Sequence, residues 1–219
     1  MIAIVDYRAG NLTSVRLAFE ALGIEAFITS RAQEILDAER VVFPGVGAAG
    51  AAMRTLAEQG IVDALREVAA RGTPFLGICV GTQVLFDRSE EDGGVECMGL
   101  VPGQVRLFRP DDRTVKVPQI GWNAVRQVRA HPLFAGIEDE SEFYFVHSYY
   151  PDPGNADHRL GETEYAGVQF ASVVAVGNLV ATQFHPEKSG RIGLRLLRNF
   201  AEWRPGVAAM PALKRGETC

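Results

Sequence analysis

Short apolar runs and longer amphipathic runs alternate along the first half of the chain. Residues 41–43 are apolar at every position, which is typical of strands buried on both faces of a parallel sheet. Residues 12–22 and 49–70 instead repeat apolar positions every three or four residues, as amphipathic helices do. Further apolar runs lie at 2–5, 25–28 and 75–78. This order predicts an α/β fold, with a mostly parallel central sheet and helices on both of its faces.

The pattern changes between about residues 93 and 165. Short apolar runs at 104–108, 115–117 and 143–150 are separated by turn residues and favour partly antiparallel strands. We interpret this segment as an additional, partly antiparallel strand insertion and not as a second domain.

The last part of the chain returns to the earlier pattern. An apolar run at 179–184 predicts a parallel strand, and an amphipathic run that ends before Pro205 predicts a closing helix. We therefore expect a single domain over residues 1–203, followed by a flexible C-terminal tail over residues 204–219.

Composition narrows the class of protein. The 219 residues are 47% hydrophobic and 22% charged, with a formal net charge of −5, which is typical of a globular chain. The charge balance argues against a nucleic-acid partner, and no apolar run approaches the roughly 18 residues of a membrane span. The three cysteines leave an odd thiol, and the first residues lack the basic region of a signal peptide. We therefore expect a cytoplasmic protein that binds neither nucleic acid nor membrane.

Cys79 has the sequence context of a reactive thiol. It follows an apolar strand, precedes a helical pattern, and is flanked by Gly77 and Gly81, as in a nucleophile elbow. An ordinary cysteine thiol has a pKa of about 8.5, so a nucleophilic cysteine needs activation. The N-terminus of the helix that begins at Val80 or Gly81 is one expected source, because its partial positive charge favours an anion.

His185 is the expected general base for this thiol. Glu187 lies two residues beyond it, so on an extended backbone both side chains project to the same side, and the carboxylate can fix the imidazole tautomer. Pro186 is expected to hold that backbone extended. Taken singly, Cys79 also fits a buried small hydrophobe, His185 a strand-end histidine and Glu187 a helix-start charge. Their joint occurrence favours a Cys-His-Glu enzyme.

A glycine-containing loop follows the strand at residues 41–43. Acyl transfer needs two backbone N–H donors for the oxyanion, one of them usually from the residue after the nucleophile, here Val80. The loop Gly45–Gly47, and in it Val46 and Gly47, is the candidate for the second donor. The same glycines also fit a plain connection between a strand and a helix, and on the glycine pattern alone that interpretation stays open.

Six segments of the chain together carry a family resemblance. The runs Gly77–Gln83 and Gln183–Glu187 resemble the class I glutamine amidotransferases, whose triad is Cys, His and Glu in that chain order. Four further motifs resemble the glutaminase subunits of imidazole glycerol phosphate synthases within that family. They are Asp6–Asn11, Phe43–Gly47, Val117–Asn123 and Phe143–Tyr149.

The resemblance implies an activity and a set of binding residues. Cys79 is expected to attack the side-chain amide of L-glutamine, forming a γ-glutamyl thioester and releasing ammonia. The residues that it implies for glutamine binding are Gln83, Glu91, Ser148 and Tyr149. Taken singly, Gln83 and Glu91 also fit solvated residues, and Ser148 and Tyr149 fit an edge strand. No cofactor and no metal are expected.

A partner is also implied by the resemblance. It is a cyclase subunit with a (βα)₈ barrel, which forms a heterodimer with the glutaminase and uses the ammonia. The residues implied for the interface are Asn11, Gln119, Trp122, Asn123 and Tyr144, which otherwise fit ordinary strand and loop positions. The family further implies that glutaminase activity depends on the partner, through a peptide rotation in the loop Pro44–Gly47.

Three other functions stay open at this point. The chain also fits a subunit of another amidotransferase or a free-standing γ-glutamyl hydrolase, which would be fully active without a partner. A chaperone-like protein with a redox-active elbow cysteine is disfavoured by the segment His185–Glu187. A non-catalytic scaffold subunit would be expected to lack a member of the triad, and none is missing.

Overall fold

The computed structural model describes residues 1–8, 10–112 and 114–206 of the chain. The strands are β1 (Ile2–Val5), β2 (Ala26–Thr29), β3 (Arg40–Gly45), β4 (Phe75–Cys79), β5 (Phe86–Ser89), β6 (Val95–Glu96), β7 (Val101–Leu107), β8 (Gln119–Gln127), β9 (Ser141–His147), β10 (Tyr149–Pro153), β11 (Arg159–Tyr165), β12 (Val168–Val176) and β13 (Leu179–Thr182). The helices are α1 (Leu12–Ala21), α2 (Ala32–Asp37), α3 (Ala49–Glu58), α4 (Val62–Ala70), α5 (Val80–Gln83) and α6 (Gly190–Glu202).

A nine-stranded sheet forms the centre of the molecule, in the order β2-β1-β3-β4-β13-β12-β11-β8-β9. The first five strands run parallel, and β1, β3, β4 and β13 are buried at every position. Uninterrupted apolar runs therefore do mark strands that are covered on both faces. Helix α1 packs against α6, and α2 packs against α4. The predicted α/β fold class is confirmed.

Some of the antiparallel strands extend the central sheet, and others belong to a second sheet. From β13 onward the strands β12, β11, β8 and β9 pair antiparallel and form the other half of the central sheet. Only β5, β6, β7 and β10 make a separate, four-stranded sheet. The segment 93–165 is therefore divided between two sheets, and residues 115–117 contain no strand.

The helical run 49–70 is two helices, not one. It breaks at Gly60, which has a φ of 68° that a residue with a Cβ rarely adopts. The short helix α2 was not predicted, because six residues give too few turns for a clear periodicity. None of the described helices combines the length and the apolar character required to cross a bilayer.

Strand order brings distant chain segments to one edge. β3, β4 and β13 are parallel neighbours, with Gly45 opposite Cys79 and Ile78 opposite Thr182. The carboxyl ends of such strands lie at the same edge of a sheet, where α/β proteins place their ligands. The loop after β3, the elbow after β4 and the segment after β13 therefore meet there. Residues 207–219 of the predicted tail lie outside the described residues.

Candidate active site

Cys79 lies in a strained turn between β4 and α5. Its φ and ψ are 56° and −114°, a conformation that is rare for a residue with a Cβ and that is found at nucleophile elbows. A Cβ on Gly81 would collide with the carbonyl oxygen of Phe43, and one on Gly77 would lie 2.9 Å from Leu85 Cδ1. Gly81 is therefore required by packing against backbone, whereas a Cβ at Gly77 would require the Leu85 side chain to move.

Helix α5 begins at Val80, as predicted, and is short. It spans only Val80–Gln83, a single turn that ends where the chain turns toward β5. A macrodipole sums over aligned peptides, so one turn supplies less positive potential to the sulfur than a full helix. Activation of Cys79 must therefore come mainly from neighbouring side chains.

His185 and Glu187 form a buried pair beside Cys79. The imidazole Nδ1 lies 2.7 Å from Glu187 Oε1, and the two side chains are 1% and 0% exposed. Because a carboxylate only accepts, Nδ1 donates and Nε2 is left to face the sulfur. Burial lowers the pKa of His185, but hydrogen bonding and charge from Cys79 and Glu187 outweigh it and raise the pKa to about 10. This favours a protonated imidazole at neutral pH, held between the carboxylate and the sulfur.

The backbone that joins this pair is not extended throughout. His185 is extended, with φ −99° and ψ 94°, but Pro186–Lys188 form a 3₁₀ turn. Proline fits the first position of such a turn, because its φ is already helical and it lacks an N–H that would need a partner. The expectation of an extended His185–Glu187 segment is wrong, and the turn brings the two side chains together instead.

Asn11 contacts the same carboxylate. Its Nδ2 donates to Glu187 Oε1 over 2.6 Å, and the residue is half-buried just before α1. Glu187 Oε2 is buried without a hydrogen-bond partner among the described residues. The sequence placed Asn11 at a partner interface and could not show this contact, because 176 positions separate the two residues.

Gln183 was missed by the sequence analysis. It follows β13, is fully buried, and its Nε2 lies 3.8 Å from Cys79 Sγ. The signal available in the sequence was a polar residue inside the apolar run 179–184, two positions before His185. A buried amide requires hydrogen-bond partners, so such a residue indicates a local polar network.

The predicted substrate and oxyanion residues share one cavity with Cys79 and His185. Its volume is about 350 Å³, within the range of small-molecule sites. The predicted residues that line it are Val46, Gly47, Val80, Gln83, Glu91, Ser148 and Tyr149. The structure therefore brings together seven residues that come from four separate segments of the chain.

The loop after β3 faces this cavity with an unusual backbone. Gly47 has a φ of 90°, and a Cβ there would meet no atom within 4 Å. Gly45 is tightly packed instead, since a Cβ would collide with Tyr7 Oη and lie 2.5 Å from Gly81 N. Of the two glycines, only Gly47 has room around it.

Glu91 joins the cavity to the start of α3. Its Oε2 accepts a hydrogen bond from Ala49 N, the first residue of that helix. Burial raises the pKa of Glu91, and the hydrogen bond from Ala49 opposes this effect. At the cavity wall, a carboxylate in this position can bind the ammonium group of an amino acid.

His147 lies beside the cavity as a neutral imidazole. Burial lowers the pKa of His147 to about 4, although the hydrogen bond to Tyr149 opposes this. Nδ1 lies 2.7 Å from the carbonyl oxygen of Tyr149, so the single N–H of the neutral ring is on Nδ1. Nε2 then accepts, and the Gln119 side-chain amide, 3.0 Å away, donates to it with its NH₂ group turned toward the ring. Gln119 is only 3% exposed, so its side chain does not occupy the surface position that the interface prediction requires.

The other predicted interface residues lie toward the outside of β8 and β9. Trp122 is 54% exposed, and its ring packs edge-on against Tyr144, which is opposite in register. Asn123 is half-buried and donates to the carbonyl of Glu164. Together with Ile120, which is 64% exposed, Trp122 forms an apolar patch on this face. We call Ile120, Trp122 and Tyr144 the β8–β9 patch.

This arrangement is suited to acyl transfer through sulfur. It combines a nucleophilic thiol in an elbow, an imidazole that can move a proton, and a carboxylate that orients the imidazole. Val80 and the Gly47 loop line the same cavity, where an oxyanion of acyl transfer needs backbone donors.

Comparison with known proteins identifies the relatives of this chain. A family model described as glutamine amidotransferase class-I matches residues 3–203. The imidazole glycerol phosphate synthase subunit HisH of Dehalococcoides mccartyi strain CBDB1 is 50% identical over 200 residues, covering 91% of this chain and 96% of that protein. The protein of the same description from Thiobacillus denitrificans is 48% identical over 226 residues, covering 100% of this chain and 98% of its own.

Solved structures share the fold at low sequence identity. A crystal structure of a glutamine amidotransferase superposes with a TM-score of 0.71 at 18% identity, covering 92% of this chain and 98% of its own. PurLQS from Thermotoga maritima gives the same TM-score and identity, with 92% and 97% covered. At this identity the similarity concerns the fold alone.

Proposed function

The chain belongs to the glutamine amidotransferase class-I family, and we propose that it is the glutaminase subunit of an imidazole glycerol phosphate synthase in histidine biosynthesis. The observation that carries the chemistry is the strained Cys79 beside the buried His185–Glu187 pair, at the wall of a cavity of about 350 Å³. The relatives at 48–50% identity support the choice of synthase.

The first half-reaction forms a thioester. The Cys79 thiolate attacks the side-chain amide carbon of L-glutamine, and the carbonyl electron pair moves to oxygen. As the oxygen pair returns, the C–N bond breaks and His185 transfers its proton to the leaving nitrogen, which departs as ammonia. Glu187 holds the imidazole with Nε2 toward the reacting atoms.

The second half-reaction regenerates the thiolate. His185 removes a proton from water, the water oxygen attacks the thioester carbon, and the C–S bond breaks to release glutamate. In both halves the oxyanion is assigned to the Val80 N–H and to the Val46–Gly47 loop.

Substrate binding is assigned to the four predicted residues. Glu91 pairs with the α-ammonium group of glutamine, and Ser148 and Tyr149 hold its carboxylate end. Gln83 Nε2 already donates to Tyr149 O and to Gln183 Oε1. The group that Gln83 offers to substrate is therefore its Oε1 oxygen.

Ammonia explains why a partner is needed. In bulk water at neutral pH most of it becomes ammonium, which has no lone pair for attack. We propose that the chain forms a heterodimer with a (βα)₈-barrel cyclase subunit, which uses the ammonia to make imidazole glycerol phosphate and aminoimidazole carboxamide ribonucleotide. The relatives are themselves subunits of imidazole glycerol phosphate synthases, which supports an assembly of this kind. The single domain over residues 1–203 and the cytoplasmic location remain predictions.

Glutamate release from L-glutamine tests this proposal. The purified chain is assayed alone and with the cyclase subunit and its nucleotide substrate, with Cys79→Ala as the control. We expect turnover that depends on Cys79 and rises strongly with the partner. Full activity without the partner would instead indicate a free-standing hydrolase, and no activity in either state would indicate a scaffold subunit.

A further inference from the structure

We propose that Gln183 is a further catalytic residue, whose side-chain N–H donates a hydrogen bond to the Cys79 sulfur and stabilises its thiolate. Gln183 Nε2 lies 3.8 Å from Sγ, a distance suited to a large sulfur acceptor. The inference deepens the function proposed for Cys79 and rests on it.

The orientation of the Gln183 amide follows from a chain of donors and acceptors. The carbonyl oxygen of Tyr149 can only accept, so the Gln83 atom that lies 3.1 Å from it must be the amide nitrogen. That nitrogen also lies 3.1 Å from the Gln183 side chain, which must present its oxygen to it. The remaining end of the Gln183 amide is therefore its NH₂ group, and this end faces the sulfur.

Burial makes this hydrogen bond stronger than a surface contact. Gln183 is 0% exposed and Cys79 is 4% exposed, so water does not compete freely for either group. The Gln183 backbone is held by a hydrogen bond of 2.9 Å from its N–H to Ser172 O. A thiolate is a charged acceptor, and hydrogen bonds to charged groups are about twice as strong as neutral ones.

Several titratable groups near the sulfur could also affect its protonation state. His185 faces it from the segment after β13, Tyr7 from the segment after β1, and His147 lines the same cavity from the end of β9. Burial raises the pKa of Tyr7 and lowers that of His147, so both are neutral between pH 6 and 9. Glu91 and Tyr149 also line this cavity, and a carboxylate there disfavours a second anion. His185 and Gln183 are the two side chains that face the sulfur with hydrogen-bond donors.

The hydrogen bond acts at two points of the cycle. It raises the thiolate fraction before attack, and it stabilises the thiolate again when the C–S bond breaks and sulfur takes the electron pair. A better-stabilised thiolate is a better leaving group. Loss of Gln183 is therefore expected to lower kcat more than it raises KM.

Alkylation of Cys79 tests the inference without glutamine or a partner. The rate of Cys79 modification by iodoacetamide is followed from pH 5 to 10 by peptide mass spectrometry, in the wild type and in Gln183→Met. Methionine has a similar size but no N–H donor. In Gln183→Met we expect the pH midpoint of alkylation to rise by about one unit. At a pH below both midpoints, this shift corresponds to about a ten-fold lower thiolate fraction than in the wild type.

Two further variants complete the experiment. Gln169→Met, on the exposed part of β12, makes the same change away from the site and is expected to leave the midpoint unchanged. Gln83→Met keeps Gln183 but removes the group that orients it, so a smaller rise is expected. This variant provides a second test if Gln183→Met fails to fold, as judged by circular dichroism.

The outcomes separate the inference from the function on which it rests. A low wild-type midpoint that stays unchanged in folded Gln183→Met would overturn the role of Gln183 alone, and so would an unchanged midpoint in Gln83→Met if Gln183→Met does not fold. A wild-type midpoint near 8.5, with no glutaminase activity, would overturn the nucleophile itself.

Discussion

Glu187 uses one carboxylate oxygen for two donors. Oε1 accepts from His185 Nδ1 and from Asn11 Nδ2, at 2.7 and 2.6 Å, while buried Oε2 accepts from no described residue. The His185 and Glu187 side chains are fully buried, whereas Asn11 is half-buried just before α1. The carboxylate that orients the imidazole is therefore itself held from near the surface.

Replacement of Asn11 tests this contact. In Asn11→Ala the Glu187 carboxylate loses a charge-assisted hydrogen bond, and the imidazole is held less firmly. We expect kcat for glutamate release to fall about ten-fold with little change in KM, because Asn11 does not line the cavity. The assay is steady-state kinetics in the presence of the cyclase subunit.

Asn155→Ala is the matched control for this variant. Asn155 is exposed and only accepts a local hydrogen bond from Asp157 N, so its loss should leave both constants unchanged. Equal kcat values for Asn11→Ala and wild type would show that Asn11 does not position Glu187.

Neutral His147 makes stability depend on pH. Burial lowers its pKa to about 4, whereas an unfolded chain has a histidine pKa of about 6.5. A lowered folded-state pKa gives stability that is present above pH 6.5 and is lost as the pH falls toward 4. Between pH 7 and 5 this single group should remove about 2 kcal/mol from the free energy of unfolding.

The variant His147→Gln isolates this contribution. Glutamine retains a donor and an acceptor but does not titrate, so its free energy of unfolding should fall by about 2 kcal/mol less than that of the wild type over the same range. Urea unfolding at pH 7 and pH 5 measures both values. Parallel losses in the two proteins would mean that His147 is already protonated when folded.

At the scale of elements, the sequence predicted best where burial is uniform. The strands β1, β3, β4 and β13 were recognised because both faces of each are covered, so nearly every position is apolar or glycine. The pairing of β8, β9 and β11 with the central sheet could not be predicted, because half-exposed strands do not reveal which neighbour they pair with.

In the candidate site, too, local patterns identified some residues but could not predict the contacts between distant ones. Cys79 and the segment His185–Glu187 were identified because local spacing carries their chemistry. The contacts of Gln183 with Cys79 and of Asn11 with Glu187 join positions 104 and 176 residues apart. Only the strand order brings such residues together, and single-sequence patterns do not encode it.

The loop after β3 is the element where backbone freedom should matter most. Gly47→Ala forces a Cβ onto a residue with φ 90°, at a cost of about 1–2 kcal/mol, although there is space for the methyl group. Partner-stimulated turnover should fall strongly, because a residue with a Cβ resists the peptide rotation that we expect in this loop. The assay is glutamate release with the cyclase subunit and its nucleotide.

Gly72→Ala is the control for backbone strain. Gly72 has a φ of 82°, also without an atom within 4 Å of a Cβ, but it is exposed and precedes β4 at the opposite edge of the sheet. Both variants should lose similar thermal stability, and only Gly47→Ala should lose stimulated turnover. Intact stimulation in Gly47→Ala would rule out Gly47 as the hinge.

At the scale of the whole molecule, the β8–β9 patch lies on a strand that is joined to the site. The Tyr144 carbonyl accepts from His185 N at 2.9 Å, and Tyr144 N donates to Ser189 Oγ at 3.0 Å. The backbone of β9 therefore holds both ends of the turn that carries Glu187. A partner bound to the patch would contact the strand that positions this turn.

Trp122 is the residue on which this partner surface is expected to depend most. A half-exposed tryptophan within an apolar patch has the properties of an interface hot spot, whose loss costs about 2 kcal/mol or more. For Trp122→Ala we expect the Kd for the cyclase subunit to rise at least about 30-fold by isothermal titration calorimetry. The rate of Cys79 alkylation in the free chain should not change, because Trp122 does not line the cavity.

Val128→Ala is the matched control for this variant. Val128 is 40% exposed and lies about 20 Å from Trp122 along the direction of β8, so its truncation should leave the Kd unchanged. If Trp122→Ala binds the cyclase subunit as tightly as the wild type does, the partner surface lies on another face, and ammonia must leave the Cys79 cavity by a route that does not pass β8 and β9.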